Sequence, residues 1–110
     1  MIDWTRLSEL RREIGDEDLA EVAACFLEEA DEVVARLDRC GSPPDLAAQL
    51  HFLKGSALNL GLVDFARLCQ EGEQRLSAGN FGMQELPRLV AVYEASKSAF
   101  RGALARGNAA

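Results

Sequence analysis

A chain of 110 residues that is 48% hydrophobic carries enough apolar material for one core and leaves no room for a second domain. Its formal charge of -6, from 18 acids against 12 lysines and arginines, comes with no basic stripe and speaks against a protein that wraps nucleic-acid phosphates. The start MIDWTRLSEL has no basic segment ahead of an apolar run, and nowhere do about 18 apolar residues follow one another, so a soluble cytoplasmic protein without a membrane span is expected.

Strand signals are missing, while apolar residues recur at three and four along the whole chain, which predicts an all-α fold. Asp3 is placed to cap a short first helix of about residues 4–14, with Ile2 and Leu7 able to form a hydrophobic staple. Gly15 supplies a left-handed residue to end it. Asp16 then caps a helix of about 17–39 whose apolar stripe is Leu19, Val22, Ala23, Phe26, Ala30, Val33, Val34 and Leu37. Its acids, Glu21, Glu28, Glu29, Asp31 and Glu32, form the solvated side. Gly41, Ser42, Pro43 and Pro44 break the chain before a helix of about 44–60 that stops at Gly61.

A helix of about 63–78 carries Phe65, Leu68, Cys69 and Leu76 ahead of the turn SAGNFG. The last, about 83–105, carries Leu86, Leu89, Val90, Tyr93, Phe100 and Leu104, and tolerates Pro87 because it lies near the helix start. Four long helices with short links favour antiparallel neighbours, hence an up-down four-helix bundle with a short additional N-terminal helix as a lid, one domain over residues 1–110. The tail GNAA is expected to fray. The three cysteines are widely spaced, form no C-x-x-C pair and have one histidine for company, so neither zinc nor a disulfide framework is indicated. Cys25 and Cys69 fall on apolar helix faces and are expected to be buried; Cys40, beside Gly41, is expected to be peripheral.

That histidine sits in HFLKGSALNLG, residues 51–61. Steps of about 100° per residue place Leu46, Leu50, Leu53, Ala57 and Leu60 together, centred about 140° from His51, so the imidazole points outward. Ala47, Ala48, Lys54, Gly55 and Leu58 frame it. An exposed stripe of an acidic helical protein normally carries many charges, yet Lys54 is the only one here. Glycine inside a helix costs about 1 kcal/mol relative to alanine, and Gly55 one turn from His51 clears room for another molecule to approach. Leu58 adds an outward apolar surface that a partner could cover. A neutral imidazole is a good nucleophile towards phosphorus near neutral pH, and a lysine on the same face can steady the anionic group it receives. General acid-base chemistry would need a second titratable group, and none lies on the histidine's own helix face.

HFLKGSALNLG resembles the signature of histidine-containing phosphotransfer (HPt) domains, in which H-x-L-K-G-S/A is followed by an N-x-G-like helix end. The resemblance extends to the short leading helix, the G-D-x-x-L entry to a helix bearing F-L-x-x-A, and the segment L-C-Q-x-x-E after the histidine helix. It implies a phosphocarrier of bacterial two-component signalling. His51 would accept a phosphoryl group from the aspartate of a response-regulator receiver domain or hybrid histidine kinase, and pass it to another receiver. Lys54 would stabilise the phosphoryl group and Gly55 would admit the partner, with Ala47, Ala48, Leu58 and Phe52 around it. The resemblance implies no metal or cofactor in the chain, the Mg²⁺ belonging to the receiver.

Two positions depart from the family pattern. Position 52 is often small or polar there, and Phe52, about 100° round the helix from His51, either rims the partner surface or packs part-buried against a neighbouring helix, the second being favoured. Gly72 stands in mid-helix where the family commonly has leucine, so its helix is either locally weak or closely approached by a neighbour. The competing reading is a non-phosphorylated helical adaptor that binds receivers or kinases; loss of the histidine or lysine would mark it, and both are present. An autonomous kinase would need a Gly-rich nucleotide loop and a further domain, and the sequence has neither. Met1, two residues ahead of the Asp3 cap, favours a freestanding chain as the expectation.

Overall fold

The computed structural model describes residues 2–106; the tail GNAA lies outside the described residues. Four helices follow one another: α1 Trp4–Ala35, α2 Pro43–Leu60, α3 Val63–Ala78 and α4 Leu86–Arg106. They form an all-α four-helix bundle. Among the described residues the only β-type pairing is an isolated antiparallel bridge between Ile2 and Leu62.

The short first helix and the long second one are two arms of α1, joined at Gly15 (φ 81°, ψ 163°). Positive φ with extended ψ is open essentially to glycine alone, so the chain bends there and resumes helical geometry at once. Asp3 caps the leading arm by accepting from the Arg6 backbone N–H at 3.1 Å. Asp16 caps nothing through its side chain; it pairs with Arg11 across the bend at 3.4 Å. The arm is strapped to the far end of α2: the Asp3 N–H donates to the Gly61 carbonyl at 2.8 Å and the Arg6 guanidinium to the Asn59 carbonyl at 3.1 Å. Leu7 is buried beneath it.

The long arm ends at Ala35, earlier than its pattern suggests, and Leu37–Arg39 form a 3₁₀ turn that still buries Leu37. The start of α2 is fixed by Ser42, whose hydroxyl accepts from the Asp45 N–H at 3.3 Å, with Pro43 at a position whose N–H would have no helical partner. Gly61 (φ 83°, ψ 23°) closes α2: the Leu62 N–H bonds the Ala57 carbonyl at 2.8 Å and the Gly61 N–H the Leu58 carbonyl at 3.2 Å. With only Gly61 and Leu62 between them, α2 and α3 lie side by side as the closest pair in the bundle. A second 3₁₀ turn, Met83–Glu85, precedes α4, which therefore begins three residues after the expected 83.

The core is built from Leu19, Leu27, Leu50, Leu53, Phe65, Cys69, Tyr93 and Phe100, with the Phe65 and Tyr93 rings 5.1 Å apart and tilted. Two stripe assignments are corrected. Cys25 is exposed, because core contacts run through Ala23 and Leu27, and a residue two positions from each points about 200° away from both. Val22 lies on the flank of the same stripe and stays 37% exposed.

Candidate functional site

His51 occupies the middle of α2, where Leu50 and Leu53 are turned fully into the core and anchor the helix beneath it. Its side chain is 69% exposed. The ring is nevertheless held: Nδ1 lies 3.1 Å from Oε2 of Glu73 on α3. A carboxylate can only accept, so in the tautomer that fits this contact Nδ1 carries the proton and the lone pair is left on Nε2. The acid that the histidine's own helix face lacks is thus supplied from the neighbouring helix.

Glu73 also binds Lys54. The Lys54 ammonium stands 3.6 Å from Glu73 Oε1, an atom that is buried and has no hydrogen bond. One carboxylate therefore bridges the imidazole and the ammonium, fixing one ring nitrogen and placing a cation on the same side of α2. Cys69 lies one turn before Glu73 and is wholly buried. Burial, and then the Glu73 charge, push its thiol up to about 12, with Lys54 acting the other way, so this sulfur is no nucleophile at neutral pH.

The closeness of α2 and α3 depends on Gly72, beside Glu73. A Cβ there would come within 2.8 Å of Leu50 Cδ1 and 3.4 Å of Phe81 Cε2. Of the two readings of this departure, close approach by a neighbour is the observed one.

Around His51, the position a Gly55 Cβ would take has no atom within 4 Å, so the histidine is approached over open space. Ala48 is exposed and Ala47 half-buried. Leu58, seven residues on and about 10 Å along the same face, is 52% exposed. Phe52 is 39% exposed, more open than the part-buried packing favoured for it. Among the described residues no group of three or more His, Cys, Asp or Glu is placed to hold a metal ion, and no helix is long and apolar enough to cross a membrane.

A family model, the Hpt domain, matches residues 21–106. The chain belongs to the Hpt domain family. Hpt domains are the histidine phosphotransfer modules of phosphorelays, working with receiver and kinase partners as phosphocarriers and not as autonomous kinases. Comparison with curated proteins found no match, and neither did comparison with solved structures. The match begins at residue 21 and so does not include the leading arm that straps the end of α2.

Glu73 is the site residue that reading one helix at a time misses. A signal was present: Glu73 is the acid that ends L-C-Q-x-x-E, four residues after Cys69 and so on the inward face of an amphipathic helix. An acid on that face needs a partner, and His51 and Lys54 are the partners it has.

Proposed function

We propose that this Hpt domain is a phosphorelay carrier whose acceptor atom is Nε2 of His51. The observation that carries this reading is the orientation of the ring, with Nδ1 occupied by Glu73 while the side chain stays open to solvent beside the gap left by Gly55. The Nε2 lone pair attacks the phosphorus of an aspartyl phosphate on a receiver domain. An N–P bond forms as the O–P bond to the aspartate breaks, and the aspartate leaves as a free carboxylate. The Nδ1 proton stays in its hydrogen bond to Glu73, whose charge offsets the positive charge that the ring gains. Lys54 can turn from Glu73 towards the incoming phosphoryl oxygens. The reverse sequence passes the group to another receiver.

In this reading the Mg²⁺ that neutralises the transferring group is the receiver's. Ala48, Phe52, Gly55 and Leu58 form the surface that the receiver covers, with the half-buried Ala47 at its edge. The test is phosphorylation by a receiver charged with acetyl phosphate, read as acid-labile phosphohistidine. Wild type is labelled. His51→Gln keeps its helix content, because the residue is exposed, and takes up no label; a labelled His51→Gln protein overturns the assignment. Gly55→Leu retains the nucleophile but transfers more slowly, and full-rate transfer would remove the approach argument.

A further inference from the structure

In the cyclic order of the bundle the α1/α4 seam lies opposite the α2/α3 seam that holds His51 and Glu73, and it is the loosest of the four. Two apolar stripes run along α4. Leu86, Leu89, Tyr93, Phe100 and Ala103 face the core. Beside them, about 100° round the helix, Pro87 and Val90 continue from the exposed Met83, with Ala91 next to them. Val34 and Ala35 of α1 face this second stripe across an open groove of about 920 Å³. A helix apolar on two sides has one of them unpartnered in the isolated bundle.

The charges around the groove select its occupant. Lys97 is the one base lining it, and it is engaged by both oxygens of Asp31, at 2.9 and 3.1 Å. With Asp38 at one end, 3.9 Å from Arg39 outside the lining, and Glu94 on α4, the lining holds three acids to one base, on a chain whose formal charge is -6. A second copy of this chain paired about a two-fold axis would set these acids against one another. A helix with one apolar face flanked by lysine or arginine meets both the floor and the rim. From Pro87 to Lys97 α4 rises about 15 Å, the length of about three helical turns.

We propose that the α1/α4 groove is the docking site of a basic amphipathic helix, about three turns long, belonging to a partner protein. The bound helix leaves the opposite seam free, so a protein tethered there does not compete with whatever approaches His51. Docking in the groove does not depend on phosphoryl transfer.

The experiment titrates the isotope-labelled full chain with two synthetic helical peptides of the same apolar stripe, one flanked by lysines and the other by glutamates, and follows backbone amide shifts. The lysine peptide shifts Val34, Ala35, Val90 and Ala91 while leaving His51 and Glu73 in place, and it binds about tenfold or more tighter than the glutamate peptide. Ala91→Lys, at an exposed helical position, weakens it about tenfold with helix content and His51 labelling unchanged. Absence of shifts at the groove with either peptide, shifts centred on the His51 seam, equal affinity for the two peptides, or an inert Ala91→Lys each overturns the proposal. Concentration-dependent shifts of the same residues without peptide would assign the groove to a second copy and overturn it too.

Discussion

Replacing Gly72 by alanine sets two effects of comparable size against each other, and the structure gives the sign. Removing a glycine from the interior of α3 gains about 1 kcal/mol in helix propensity. The new Cβ, however, would stand 2.8 Å from Leu50 Cδ1 and 3.4 Å from Phe81 Cε2, where unstrained carbon contacts lie at about 3.5–4.0 Å. Leu50 must retreat by nearly 1 Å. Its methyl is the end of a flexible side chain, but the residue is wholly buried, and overpacking of this kind costs about 1–3 kcal/mol. The expected net effect is a loss of about 1 kcal/mol, or roughly 4–8 °C in Tm for a domain of this size. Gly55→Ala is the internal control, because its Cβ meets nothing within 4 Å and the full propensity gain of about 1 kcal/mol should appear. Urea unfolding followed by far-ultraviolet circular dichroism should therefore separate the two variants by about 2 kcal/mol in opposite directions from wild type. If Gly72→Ala proves as stable as Gly55→Ala, the close approach of Leu50 does not constrain the seam and the reasoning fails.

Three further outcomes follow from the same geometry. Glu73→Ala should slow phosphoryl uptake by about tenfold, because a hydrogen bond to a charged group contributes about 1.5–3 kcal/mol and the exposure of His51 sets the lower end. Glu73→Gln keeps an acceptor for Nδ1 and should lose less, so equal losses in stopped transfer assays would show that the carboxylate does not orient the ring. Burial raises the Asp31 carboxyl, but hydrogen bonds from Tyr93 and Lys97 and the charges of Lys97 and Arg101 outweigh it and hold the group below 3.8. A depressed folded value stabilises above the unfolded one, so the advantage of wild type over Asp31→Asn should be complete above about pH 4 and fade as pH falls through the folded value. A difference constant through the acid range would contradict that linkage. In thiol labelling of the native protein Cys25 should react first and Cys69 only on unfolding, and rapid modification of Cys69 would be incompatible with its burial and raised thiol.

Much of the bundle was legible because its information is local. The period of the apolar residues marks core faces, and Asp3, Ser42 and Gly61 punctuate the chain by hydrogen bonds that begin and end within a few residues. The outward direction of His51 was likewise a property of one helix, set by Leu46, Leu50 and Leu53 on its other side. Cys25 and Val22 were misjudged because the apolar stripe of α1 is wide in sequence, and only the partner helices determine which part of it is covered. Phe52 departs in the same direction, its 39% exposure exceeding what the packing favoured for it implies. Glu73 went unassigned for a related reason: its meaning lies in the pairing of α2 with α3, a relation between segments 22 residues apart that periodicity within either helix does not express.

That pairing joins stability to chemistry. Gly72 and Glu73 are consecutive, so the backbone position that lets α3 close upon Leu50 also sets how far the carboxylate reaches towards His51, the residue after Leu50. A side chain at position 72 that pushes Leu50 away displaces both ends of the 3.1 Å hydrogen bond at once. A contact of that length has little slack, because hydrogen bonds of this kind lie at about 2.7–3.2 Å and weaken beyond. The glycine is therefore more than a tolerated irregularity in α3. It holds the distance across which an acid on one helix fixes the proton of an imidazole on the next, and Gly72→Ala should lower the rate of phosphoryl uptake as well as the unfolding free energy, whereas Gly55→Ala should raise the second without requiring a change in that hydrogen bond.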